Sequence, residues 1–264
     1  MSARAAKGSV LGMAYAVFCY LGFLGSFAYF VLFANDLWVP TSLNGEPTHT
    51  LPVALAINLG LILMWGLQHS VMARKRFKDV WTRLIPASAE RATYCLASAL
   101  ALTAVCVGWA PIEGDIWHLE GGAAIVMWVV GGLGWVILLA ASFEIDHFEL
   151  FGLKQGWFAW RGKDLPEHPL KQRFLYKWVR HPIQLGVFIG VWATPHLSWS
   201  HALFAGSMTA YIFIGLYFEE RDLIRHYGEA YRAYQRRVPK LIPFPRLGAD
   251  DASPLPQPTH AESK

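Results

Sequence analysis

The sequence predicts an all-α, polytopic integral membrane bundle of four long spans and a C-terminal helical hairpin. Three observations carry that expectation. Of 264 residues, 54% are hydrophobic and 16% charged, where a soluble domain carries nearer about 25% charged residues. The apolar residues are gathered into runs of membrane-spanning length rather than spread with helical periodicity. Basic residues crowd some loops and are absent from the others.

The first four runs, Val10–Ala34, Leu51–Val71, Ala92–Ala110 and Ala123–Ala141, are each long enough to cross a hydrocarbon core of about 30 Å as a helix. The first is too long for a signal-peptide core and has no small-residue cleavage site after it, so it reads as a span. Ile183–Pro195 and Ala202–Phe218 are shorter and read as a packed hairpin. Loop 35–50 holds Asp36 and Glu46, and loop 111–122 holds Glu113, Asp115 and Glu120; neither has a Lys or Arg. The segment after the second run has Arg74, Lys75, Arg76, Lys78 and Arg83, and the segment after the fourth has seven Lys and Arg between Lys154 and Arg180. Positive residues stay inside, so both termini are expected in the cytoplasm.

The net charge of +4 follows from those loops and does not point to nucleic acid. Trp38, Trp117, Trp157, Trp160, Trp178 and Trp199 fall near span ends, as an aromatic belt in a bilayer would. Cys19, Cys95 and Cys106 sit inside apolar runs without metal or disulfide spacing, which makes them packing residues. Residues 1–243 read as one membrane-embedded domain, and the Pro-rich polar tail 244–264 as disordered. Nothing in the pattern sets an oligomeric state.

Four polar clusters interrupt the apolar pattern. Gln68-His69-Ser70 ends the second run, at a depth where polar groups are costly and tend to be functional. The alternative is a helix end among headgroups, with Arg74–Arg76 on acidic lipid. Glu144, Asp146, His147 and Glu149 follow the fourth run; continued as a helix, they place Glu144 and His147 on one face and Asp146 and Glu149 on another. Their spacing fits no metal motif. Arg180-His181-Pro182 opens the hairpin, proline suiting the first turn and the helix start beside Arg180 suiting a carboxylate ligand. Glu219-Glu220 closes it, and adjacent side chains about 100° apart let only one face a pocket. If the hairpin crosses and returns, its two clusters meet on one side. Tyr227, Tyr231 and Tyr234 follow at helical spacing, as a stripe over that cleft.

Arg180-His181-Pro182, Gly186, Glu219-Glu220, Tyr227-Gly228, Tyr231 and Val238-Pro239, with Gln68–Arg74, Glu90–Tyr94 and Asp146–Leu153 upstream, carry a resemblance. Over roughly Tyr20 to Pro243 the chain resembles the isoprenylcysteine carboxyl methyltransferase-like membrane enzymes. That implies S-adenosylmethionine (AdoMet) as cofactor, held by about 175–243 through Arg180, His181, Gln184, Gly186, Glu219, Glu220 and Tyr231. Glu220 is the expected ammonium partner and Glu219 the structural one; Gln184 stands where many relatives have tyrosine. The resemblance also implies Asp146 and His147 as pocket residues, with His69 or His147 as the base. Its closest likeness is to members acting on small thiols, which implies methanethiol converted to dimethyl sulfide, with hydrogen sulfide as a second acceptor, at a bacterial inner membrane. Carboxyl-methylating members have an arginine one turn before the Glu pair; here Tyr211–Leu216 is uncharged, which implies a pocket unsuited to a carboxylate acceptor. The rival expectations are a carboxyl or lipid methyltransferase, or a haem- or quinone-binding protein using His69, His147 and His181.

Overall fold

The computed structural model describes residues 10–166 and 170–243; the tail 244–264, expected to be disordered, lies outside the described residues. Among these, five helices are long and apolar enough to cross a membrane: α1 (Val10–Ala34), α2 (Leu51–Ala73), α4 (Ala87–Gly108), α5 (Gly121–Ile145) and α10 (Trp199–Tyr227). The bundle is helical throughout apart from one small ribbon, in which β1 (Asp115–His118) pairs antiparallel with β2 (His196–Ser198).

The hairpin is unequal, which corrects the expectation of two short arms. Its second arm runs 29 residues as α10, because charged residues end an apolar run without ending a helix. Nothing from Trp199 onward breaks it until Gly228, whose φ of 57° suits glycine. Its first arm, α9 (Pro182–Trp192), has 11 residues, too few to cross about 30 Å at 1.5 Å per residue. The chain continues without helix through 193–195 into β2. What seats so short a helix is close approach to α5. A Cβ added at Gly186 would lie 2.6 Å from both Gly134 O and Leu138 N, so only glycine lets the two backbones meet.

Behind that seam Phe30, Phe33, Trp109, Trp135 and Phe204 form the buried core. Leu63, Val129, Leu133 and Phe213 face outward, as helices solvated by lipid tails require. Polar pairs fix the neighbours: Ser26 with Thr103 between α1 and α4 (2.8 Å), and Asn58 with both the N–H and the C=O of Ala110 (2.8 and 2.7 Å) between α2 and the end of α4.

The two ends differ. At the acidic-loop end Asp36 accepts hydrogen bonds from Ser42, Asn44 and Leu43 N, while Ser198 Oγ accepts from His201 N and caps α10. The basic end carries the short helices α3 (Lys75–Trp81), α6 (His147–Leu150), α7 (Leu153–Trp160), α8 (Leu175–Trp178) and α11 (Glu229–Arg237). Here a second correction arises. α5 stops at Ile145 because Asp146 takes φ 118°, and Asp146 Oδ1 then caps α6 by accepting from Glu149 N at 3.1 Å. Glu144 and His147 therefore share no helical face.

Candidate active site

At the basic end the helices enclose a cavity of about 520 Å³, a size suited to a cofactor-sized ligand. Phe23, Phe27, Trp65 and Leu102 make an apolar wall; His69, Arg91, Tyr94, Ser98 and Glu219 make a polar one; Tyr176, Tyr227, Tyr231 and Tyr234 complete the enclosure. Arg180, His181 and Gln184 also line it. The clusters that open and close the hairpin do meet there, across 40 residues of chain.

They meet through Glu220. Its Oε1 accepts from Arg180 Nε at 2.8 Å and Nη2 at 2.7 Å and lies 3.2 Å from His181 Nε2, while Oε2 lies 3.0 Å from Lys240 Nζ. Arg180 Nη1 donates to the carbonyls of Gln235 and Val238, and the Arg180 and His181 amides donate to Pro239 and Lys240. One buried ion cluster thus ties α9, α10 and the strand-like segment after α11 together. Glu220 is spent on it and does not line the cavity, whereas Glu219 does, with no hydrogen-bond or ion-pair partner among the described residues. The adjacent pair does diverge: Glu220 is paired with Arg180, His181 and Lys240, and Glu219 lines the cavity. A carboxylate held by two arginine nitrogens, a histidine and a lysine ties elements of the fold together; the carboxylate beside it has its hydrogen-bonding capacity left over.

His69 lines the same cavity. Tyr94 OH is 2.8 Å from its Nε2, Ser98 Oγ is 3.1 Å from its Nδ1, and Trp65 stacks on the ring at 5.4 Å between centroids. Arg91 donates from Nε to Leu150 O at 2.7 Å and places its guanidinium over the Tyr94 ring at 5.2 Å. Its terminal nitrogens have no partner among the described residues. The cavity therefore offers one free carboxylate, one free guanidinium and a histidine bracketed by hydroxyls, all against aromatic surface.

The NnrU protein family model matches residues 57–243, which hold every cavity residue except Phe23, Ser26 and Phe27. A protein of a Pseudomonas strain named methanethiol S-methyltransferase is 45% identical over 240 residues, covering 90% of this chain and 92% of its own. Proteins of the same name from Mycobacterium tuberculosis and Crocosphaera subtropica are 42% and 43% identical, covering 89% and 87% of this chain and 97% and 91% of their own. This chain belongs to the methanethiol S-methyltransferase family. No solved structure matches it.

Against that family background three expected site residues besides Glu220 stand off the cavity. Gly186 faces α5. His147 is buried between Ser142 Oγ and Tyr20 OH, each 2.8 Å from a ring nitrogen, with Phe143 stacked on it at 4.2 Å. Burial pulls its pKa down, only partly opposed by the charge of Asp146. Asp146 pairs with Lys154. Burial raises its pKa, but the Lys154 hydrogen bond and the Glu149 amide outweigh that and hold it below the usual carboxylate range. The pair builds the turn that delivers Glu149, Leu150 and Phe151 to the cavity wall, and that is a positioning role.

Arg91 and Tyr94 were visible in the sequence as part of Glu90–Tyr94 but carried no assigned role. The signal was an arginine and a tyrosine one turn apart at the start of a span. Tyr211–Leu216 does not line the cavity; Phe213 and Ile214 face outward. That stretch is therefore not what sets the charge of the lining, which includes Arg91 on α4 together with Lys171 and Arg180.

Proposed function

We propose that this protein transfers a methyl group from AdoMet to a small thiol, converting methanethiol to dimethyl sulfide, with hydrogen sulfide as a further acceptor. The observation that carries it is Glu219, an unpartnered carboxylate on a cavity of about 520 Å³. Similarity to methanethiol S-methyltransferases over nine-tenths of the chain supports the same activity. The residues present fit the cofactor. Glu219 would meet its ammonium group, and Ile183 and Gln184, in the first turn of α9, put the positive end of a helix on the cavity wall for its carboxylate. The tyrosines and Trp65 supply flat surface for an adenine ring. When bound, AdoMet supplies an electrophilic methyl on a sulfonium.

The protein's own work is alignment, exclusion of water and removal of the thiol proton. Displacement at a methyl carbon gains most from holding the partners in line. The aromatic wall suits a small apolar acceptor, and Arg91 favours its thiolate over its thiol, the thiolate being the nucleophile. Of the two histidines on the cavity, His181 is engaged by Glu220, so His69 is the base in this reading.

The charge pattern supports both termini on the cytoplasmic side of a bacterial inner membrane, with the cavity mouth there too. Single cysteines at Thr48 and Lys163, in a chain without its native cysteines, should label from opposite sides of intact cells. For the activity, purified protein with labelled AdoMet should form dimethyl sulfide from methanethiol and no ester on a prenylcysteine analogue. Ester without dimethyl sulfide would make it a carboxyl methyltransferase.

A further inference from the structure

We infer that Tyr94 is a catalytic residue, the group that takes the acceptor's proton, with His69 behind it as the base that receives the proton Tyr94 gives up. This rests on the thiol methylation proposed above and names how its proton moves.

His69 lines the cavity, but its ring nitrogens are not open to a thiol. Trp65 stacks on its ring and Tyr211 closes on it edge-on at 5.9 Å between centroids. Both nitrogens are already engaged, Nε2 by Tyr94 OH at 2.8 Å and Nδ1 by Ser98 Oγ at 3.1 Å. Gln68 Nε2 donates to Ser98 Oγ at 3.3 Å, so that oxygen is acting as an acceptor. It accepts equally from an Nδ1–H, and this assignment leaves the Nε2 lone pair pointing at the Tyr94 phenol. The basic nitrogen thus reaches the cavity through the tyrosine hydroxyl. In this tautomer Nδ1 carries its hydrogen toward Ser98, so Ser98 takes no part in the relay. Arg91, over the Tyr94 ring with its terminal nitrogens unpartnered, favours negative charge at this corner.

The step balances. The acceptor's S–H bond breaks as its proton bonds to the Tyr94 oxygen, while the phenol's own O–H bond breaks and that proton bonds to His69 Nε2. Thiolate and imidazolium result, and Tyr94 ends as a neutral phenol. The proton returns to water by the same route after the thioether leaves.

Tyr94→Phe keeps the ring and its contact with Arg91 and removes only the relay. Its rate with methanethiol at neutral pH should fall about 10²–10⁴-fold, the range for loss of general acid–base catalysis. AdoMet affinity by calorimetry should stay unchanged, and the deficit should shrink as pH rises toward the thiol's own pKa. His69→Ala should lose as much, and the double variant no more than either, since groups acting as one unit are not additive. On the wild type, the rate in mixed light and heavy water should depend on deuterium fraction as two moving protons require.

Tyr94→Phe within twofold of wild type, single losses that multiply in the double variant, or a one-proton isotope dependence would each overturn the relay. They would leave methyl transfer itself standing. A wild-type protein that binds no AdoMet would remove both.

Discussion

Both ends of this bundle bury polar groups, and they use them differently. At the acidic-loop end every hydrogen-bond partner of Asp36 among the described residues is local: Ser42, Leu43 and Asn44 close onto it, and Ser198 bridges Asn44 to the start of α10. At the basic end Glu220 is as fully paired, by Arg180, His181 and Lys240. Yet Glu219, the next residue, and Arg91 on another helix keep free valences toward a cavity. A satisfied cluster holds elements in place; an unsatisfied group beside one, in a pocket the cluster keeps rigid, is where binding energy is stored for a ligand. The contrast implies that changes at the closed clusters alter stability and changes at the open groups alter binding.

The largest effect should come from Glu220→Gln. It leaves Arg180, a buried cation, without its counter-charge, and breaking such a pair costs about 3–5 kcal/mol. Thermal unfolding in detergent should show it, and an unchanged melting temperature would mean that the cluster is not what joins α9 to α10. Asp36→Ala, at the other end, should cost about 2–3 kcal/mol from the lost charged hydrogen bonds, with AdoMet affinity untouched by calorimetry. A fall in affinity there would show that the two ends are coupled.

Glu219→Gln should do the reverse. AdoMet should bind about 2 kcal/mol more weakly, through loss of one charge-assisted contact, while the melting temperature holds or rises. If affinity is unchanged in Glu219→Gln but drops in Glu220→Gln at equal stability, the two carboxylates have been assigned the wrong way round.

The smallest effect concerns Asp146. Its folded pKa lies below the usual carboxylate range, so it stabilises the fold above its unfolded pKa of about 3.9. That contribution is lost as pH falls through the folded value. Asp146→Asn keeps a capping oxygen and loses the ion pair with Lys154, which should cost about 1 kcal/mol at neutral pH. It should also flatten the acid side of the stability profile below that point. A wild-type profile that is already flat there would remove the Asp146–Lys154 pair from the account.

Run length and charge placement by themselves determined most of the architecture: helices through the membrane, loops sorted by sign, and a hairpin whose ends meet. These depend on the composition of continuous stretches and on the solvent each must face, so they are local properties. The same logic failed at α10, where an apolar run measures the hydrocarbon thickness rather than the helix, and at Asp146, where one residue's backbone reversal ended a helix that periodicity would continue. The site divides the same way. That Arg180, His181 and a glutamate would come together was legible from where they stood on the hairpin. Which glutamate faces the cavity was decided by packing, because residues 219 and 220 differ only in what α9 and Lys240 set against them. That Arg91 and Tyr94 on α4 would stand beside His69 on α2 depended on how two helices rotate about their own axes, which is set by partners distant in sequence.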